Sequence, residues 1–378
     1  METISENVKT IARFPYNRAL LLQARLQSDG IDCFLSHQNL VQAAISMGVE
    51  IKVRESDMEK ALKLIELYKK ETGVQKEKSL KTLKSVRRIL VPVDFSPASD
   101  KAIELAVDIA NLLKAEIRLF HVYYNPVIEI APFDTSHTYQ VNLTNYLHEI
   151  EQNAKMQLTE KLNNLKKQVL ELKSKTRITH SMANGIAADE ILELSRKYKP
   201  GLIIMGSKGM GKQTEGMIGS VTLKVVAKSE IPVIALPENS KLLKAEDFRH
   251  ILYATDFDNY DQTALSRLIN LIHPLKVTIH CVHVSVGQKK AYEKVKMESL
   301  KKFLDEEYSD ISFRCSIIVS DDILNGLETY IRETPVDVIA LTNHSRGLLN
   351  SLFTPSVTRQ IMQRIDKPLL VFKSREIS

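Results

Sequence analysis

Two periodicities alternate along most of this chain. Short apolar runs of strand length recur at Ile89-Leu90-Val91-Pro92-Val93-Asp94, Glu116 to Val122, Arg177 to Met182, Leu202 to Met205 and Ile231 to Leu236. Between them lie stretches with helical spacing: Ala102, Ile103, Leu105, Ala106, Ile109 and Leu112, then Asn142 to Lys175, Ala187 to Tyr198 and Ser220 to Lys228. Ser96-Pro97 suits the first of these helices, with serine as N-cap and proline at the first helical position. Five strands with helices between them predict a doubly wound α/β domain on a parallel sheet.

The first 70 residues have a different rhythm. Val8 to Phe14 alternates as a strand, Asn17 caps a helical stripe from Arg18 to Asp29, and Gly30 ends it. Strand patterns follow at Ile31 to Leu35 and Val49 to Val53, and Ser56-Asp57-Met58-Glu59 opens a second helix carrying Ala61, Leu62, Leu64, Ile65 and Leu67. The β-α-β-β-α order predicts a small α+β domain of ferredoxin-like character over residues 1–70. Residues 71–85 are polar and lysine-rich without apolar period, and read as a linker.

An internal repeat sets the rest of the architecture. Arg87 to Phe95 overlays Arg249 to Phe257 at an offset of 162, without a gap as far as His121-Val122 over His283-Val284. Gly219-Ser220-Val221-Thr222 overlays Pro355-Ser356-Val357-Thr358 at an offset of 136, as Ile231-Pro232-Val233 does Lys367-Pro368-Leu369. Residues 86–238 and 248–375 are therefore expected to be tandem copies of one α/β fold.

Five of the chain's 13 glycines fall in Gly206 to Ser220, between a strand run and a helix pattern. Glycine lets backbone approach a ligand closely, and a loop leading into a helix N-terminus presents N–H groups to anions. Gly206 to Lys212 fits the P-loop spacing, but Gln213 stands where the Mg²⁺-binding hydroxyl belongs and Thr214 comes one residue late. The Rossmann fingerprint belongs to a first strand-helix turn, whereas this loop follows a late strand. A solvent-exposed glycine loop without a ligand is the bland alternative. In the second copy Gly206, Gly209 and Gly219 become Thr342, Ser345 and Pro355, so that copy is expected to have lost phosphate binding.

Composition narrows the classes. Net charge is +6, and the lysines sit in the linker and on helix faces, with no Trp and no basic run interleaved with aromatics, which disfavours nucleic acid. Cys33, Cys281 and Cys315 are too few and too scattered for a disulfide framework or a zinc site. Cys281 and His283 share a strand face, but two ligands make no metal centre. No apolar run reaches membrane-spanning length, and Met1 to Glu6 lacks a secretory h-region, so a cytoplasmic protein without membrane contact is expected.

Val91-Pro92-Val93-Asp94, His121-Val122 and the spacing of Gly206, Gly209, Gly219 and Ser220 resemble the universal stress protein family, ATP-binding class, over residues 86–375. The resemblance implies the adenine-nucleotide alpha hydrolase-like fold and an ATP site, with or without Mg²⁺, at the carboxyl ends of the strands. It implies that Asp94 bonds the ribose hydroxyls and that Pro92, Val93 and Val122 flank the adenine. Met205 and Gly206 would then close over the nucleotide. Gly209, Gly219 and the N–H groups of Ser220, Val221 and Thr222 would hold phosphate, with Met210 to Ile218 as a flap. In this family the last strand pairs between protomers, so 231–236 and 367–372 are expected to pair within the chain, with homo-oligomers a further option. Residues 1–70 resemble the small prokaryotic signal-transducing domain, in Ser28 to Phe34 and Val49 to Val53 with Asp57 to Lys60, which implies a protein partner and no chemistry.

Each residue alone has a plainer reading: Asp94 and Ser220 as helix caps, His121 and His283 as packing groups. The pattern as a whole predicts an ATP-binding stress regulator with no assigned catalytic residue. A slow ATPase or autophosphorylating switch, and a nucleotide-free scaffold, are the alternatives.

Overall fold

A computed structural model describes residues 8–14, 22–23, 26, 30–36, 49–65, 86–124, 137–171, 176–209, 218–240, 244–257, 259–272, 275–287, 291–308, 310–343 and 355–373. The linker 71–85, the flap 210–217 and most of the expected helix Arg18 to Asp29 lie outside the described residues. The chain divides into two compact units, residues 1–84 with 288–310 and residues 85–287 with 311–378.

In the first unit, strands β1 (Val8–Phe14), β2 (Cys33–Ser36) and β3 (Val49–Arg54) form a sheet ordered β1-β3-β2. Both outer strands run antiparallel to β3, so they are parallel to each other with β3 between them, the split arrangement of ferredoxin-like folds. Leu22, Leu26, Ile31, Cys33, Ile51, Val53, Ala61 and Ile65 make its core.

The second unit is built on one ten-stranded sheet. In the first copy β4 (Arg88–Pro92), β5 (Glu116–Tyr123), β6 (Ile178–Asn184), β7 (Leu202–Gly206) and β8 (Val233–Leu236) lie in the order β6-β5-β4-β7-β8. In the second, β9 (His250–Ala254), β10 (Thr278–Val286), β11 (Ser312–Ser320), β12 (Val338–Asn343) and β13 (Leu369–Lys373) repeat it as β11-β10-β9-β12-β13. Every neighbour pair is parallel except β8 with β13, which pair antiparallel and join the copies. The register Leu369↔Ala235, Leu370↔Ile234, Val371↔Val233 puts the repeat-equivalent residues Ile234 and Leu370 opposite each other. The pseudo-two-fold axis therefore passes through that pair, and the contact is self-complementary as in a two-fold dimer.

The first-copy helices are α1 (Pro97–Leu113), α2 (His137–Glu171), α3 (Ala187–Tyr198) and α4 (Ser220–Lys228). Those after β9 are α5 (Asn259–Ile272), α6 (Ala291–Glu307), α7 (Ile323–Glu333) and α8 (Pro355–Arg364). Ser96 caps α1 by accepting from the Ser99 N–H at 3.2 Å, and Lys114 ends it in the left-handed conformation. Buried residues of β4, β7, β8, β9, β12 and β13 share one hydrophobic cluster, so the core is continuous across the two copies.

Two buried polar groups pack against the strands. Tyr198 donates to Glu116 at 3.0 Å beneath the Arg88 and Arg118 guanidiniums, and burial, then the Glu116 hydrogen bond, push its phenol up to about 12. His280 is fully buried, bonded through Nε2 to His250 Nδ1 at 3.2 Å and through Nδ1 to the Tyr330 hydroxyl at 2.8 Å. Burial first, then His250 and Arg314, push it down to about 4, against the opposing pull of Asp337.

Candidate functional site

In the first copy β4 and β7 are neighbours, while β5 and β8 lie on their outer sides, so the chain order reverses between them. Open α/β sheets bind ligands at the carboxyl ends of the strands at such a point. Here those ends carry Val93-Asp94-Phe95-Ser96 and Gly206 to Gly209. The strand expected to end at Asp94 stops at Pro92; the Val93 N–H still makes the next ladder bond, to the Phe120 carbonyl at 2.8 Å, and the chain turns after it, at Asp94 and the left-handed Phe95. Asp94 then leaves the sheet, and its Oδ1 accepts from Ser96 N at 3.1 Å and Ser96 Oγ at 2.6 Å. Asp94 is therefore not the cap of α1, which is Ser96; its Oδ1 closes a local turn onto Ser96 and its Oδ2 faces Gly209.

A chain of close approaches links the expected residues. A Cβ placed on Gly209 would lie 2.6 Å from Asp94 Oδ2, so a larger residue here would push this carboxylate aside. A Cβ on Gly219 would lie 3.7 Å from Gly209 N and 3.5 Å from Ser207 O, which are ordinary contacts. Gly219 has φ −62° and donates to Ser207 O at 2.8 Å. Neither strain nor crowding requires glycine at 219; its effect is to give the start of α4 no side-chain cap. The N–H groups of Ser220, Val221 and Thr222 have no acceptor inside the helix and carry the positive end of its dipole.

Other expected residues have structural duties. A Cβ on Gly206 would meet Ala98 Cβ at 2.7 Å and Ala98 C at 2.8 Å, so this glycine seats α1 against β7. Met205 is buried in the core cluster, which leaves its backbone and not its thioether at the site. The Thr222 hydroxyl donates to Gly206 O at 2.8 Å and pins α4 to the end of β7. Lys224 holds α4 to α3 through Asp189 at 2.7 Å, and that hydrogen bond keeps the Asp189 carboxyl below its ordinary range. Pro92 and Val93 are buried and Val122 is half-buried. Lys208, beside the loop, pairs with Glu238 at 3.6 Å. Lys212 lies outside the described residues.

Sequence reading missed one device. Phe95 is held at φ 63°, a left-handed conformation costing about 1–3 kcal/mol in a non-glycine residue. Its ring lies 4.6 Å from that of His121, whose Nδ1–H donates to Val93 O at 2.7 Å. The repeat carries the same arrangement: Phe257 at φ 62°, its ring 4.3 Å from His283, and His283 Nδ1–H donating to Thr255 O at 2.8 Å. The available signal was the matching Phe and His at the 162 offset.

The second copy diverges at the other end. Thr342, in the place of Gly206, is buried and bonded through its hydroxyl to Tyr253 at 2.9 Å.

These features define a class: a tandem α/β protein with an acid-bearing turn and an open helix N-terminus at the switch point of its first copy. Residues 85–237 and 247–373 each match the universal stress protein family, and the chain belongs to it. Universal stress protein YxiE of Bacillus subtilis is 31% identical over 147 residues, 39% of this chain and 96% of that protein. MJ0577 of Methanocaldococcus jannaschii, also a universal stress protein, is 29% identical over 154 residues, 40% of this chain and 94% of that one. A universal stress protein structure from Archaeoglobus fulgidus matches the fold at a TM-score of 0.59 and 19% identity, covering 76% of this chain and 99% of that one. The two α/β copies have the adenine-nucleotide alpha hydrolase-like fold. Among the described residues no helix is long and apolar enough to cross a membrane, and no three His, Cys, Asp or Glu side chains cluster as metal ligands.

Proposed function

We propose that the first copy binds ATP and that the second serves as its built-in pairing partner, within a stress-response protein. The observation that carries this reading is the contact line from Asp94 through Gly209 and Gly219 to the uncapped start of α4. Asp94 Oδ2 offers an acceptor to ribose hydroxyls, and the N–H groups of Ser220 to Thr222 suit the phosphates at the opposite end. Pro92, Val93 and Val122 supply apolar surface for the base. Mg²⁺ would arrive on the phosphates, held by few protein ligands. Residues 1–70 are assigned to binding a protein partner.

The test is equilibrium dialysis of the full chain against labelled ATP, with Asp94→Ala as control. One ATP per chain, lost in the variant, is expected. A wild-type chain that binds none, or a variant that binds equally well, sinks the proposal.

A further inference from the structure

Two of the chain's three cysteines meet at the outer edge of the second copy. Cys281 on β10 and Cys315 on β11 are direct partners in the parallel register, and β11 is the end strand of the ten-stranded sheet. Side chains alternate between faces along a strand and register partners share a face, so both thiols project on the same side. Cys281 is wholly buried, Cys315 is half-buried, and neither is in a disulfide. The fold does not ask for this pair. In the first copy the equivalent positions, again partners in the register, hold Leu119 and His180.

Spacing decides what two such thiols can hold. Neighbouring strands lie about 4.8 Å apart, and partners in matching rotamers put their sulfurs at about that separation. A disulfide wants its Cβ atoms about 3.8 Å apart, so closing one would draw β11 in toward β10. Two metal–thiolate bonds of about 2.3 Å set in line span about 4.6 Å, close to the strand spacing. Zinc and iron–sulfur clusters need more ligands than two, and among the described residues no third His, Cys, Asp or Glu completes a cluster. Monovalent copper is soft, selects thiolate and is satisfied by two in line. His283, next along the same face, is committed through Nδ1 to the Thr255 carbonyl, with its ring against Phe257. We propose that Cys281 and Cys315 bind one Cu(I) ion in a two-coordinate site at the edge of the second copy. The ion enters from the half-buried Cys315 side. Two S–H bonds break, two S–Cu bonds form, both protons leave to water, and copper stays monovalent.

Anaerobic titration of the full chain with Cu(I) buffered by bathocuproine disulfonate tests this, since the coloured complex reports the copper that the probe keeps. Wild type should withdraw one equivalent, and X-ray absorption of the loaded protein should show two sulfur neighbours and no imidazole. Cys281→Ala and Cys315→Ala should each withdraw none, while Cys33→Ala should behave as wild type. Cys281 is a core residue, so Cys315→Ser at the half-buried position is read alongside, with circular dichroism to establish that each variant is folded. Wild type leaving all the copper with the probe overturns the proposal. So does a folded Cys315→Ser chain that takes up copper as wild type does, an imidazole in the copper's coordination shell, or a copper-dependent dimer holding half an equivalent per chain.

Discussion

Gly209→Ala and Gly206→Ala are the same chemical change three residues apart, and they should fail in different ways. At Gly206 the new methyl would stand 2.7 Å from Ala98 Cβ and 2.8 Å from Ala98 C, the latter a backbone atom of α1 that cannot step aside alone. Overpacking of this kind costs about 1–3 kcal/mol. At about 2–4 °C per kcal/mol for a unit of this size, the melting temperature should fall by about 2–12 °C. At Gly209 the nearest atom among the described residues is Asp94 Oδ2 at 2.6 Å, the far end of a half-buried side chain. The carboxylate can turn away by giving up its Oδ1 bonds to Ser96, so stability should fall by about 1 kcal/mol. Turning away removes the acceptor meant for the ribose. Losing one hydrogen bond to a charged group costs about 1.5–3 kcal/mol, or about 10- to 100-fold in ATP affinity. Differential scanning fluorimetry of the apo protein with calorimetric ATP titration measures both. A Gly209→Ala chain with wild-type affinity, or a Gly206→Ala chain with wild-type stability, would refute the geometric argument.

Further expectations concern the scaffold. His280 stays neutral to about pH 4 when folded, against 6.5 for the free group, so the unfolded chain binds the extra proton and stability should fall as pH drops from 6.5 to 4. The full effect is about 3 kcal/mol, read from urea unfolding over that range; His280→Phe should flatten the slope, and an unchanged slope would exclude His280 as its source. Leu370→Ala, at the pseudo-two-fold axis and 2% exposed, should cost about 2–5 kcal/mol by chemical denaturation. Tyr198→Phe removes the hydroxyl bonded to Glu116 while keeping the ring under Arg88 and Arg118, for a loss of about 1 kcal/mol in the same assay.

Much of this fold was written in local signals. Ser96 and Pro97 start α1 where an N-cap and a proline should, and α3 and α4 have the predicted limits, because each is bounded by a turn that sequence chemistry specifies. The pairing of β8 with β13 was legible only through the repeat and the family resemblance, since no local pattern names a strand's partner. Strand β4 stopped short of Asp94 because the chain turns there, with Phe95 at φ 63° and Ser96 bonded back to Asp94. Phe95 was invisible for a related reason. Propensity argues against an aromatic residue at positive φ, which here is spanned by the Asp94–Ser96 hydrogen bonds and packed on the His121 ring, a contact set by tertiary placement. At the loop, glycine content pointed to one segment but gave three residues one meaning, whereas Gly206 answers to a helix, Gly209 to a carboxylate and Gly219 to neither strain nor crowding.

Pairing β8 with β13 inside one continuous chain changes what substitution can do to this protein. In a homodimer assembled across the same strand, any altered residue enters both halves, and two unlike sites cannot arise from one gene. Here each half mutates alone, and the partner it needs is always present at the effective concentration set by the connection, independent of how much protein there is. The axis through Ile234 and Leu370 keeps the halves matched in shape while leaving their outer ends free to diverge. Proline at 355 is then tolerable because its counterpart at 219 remains glycine.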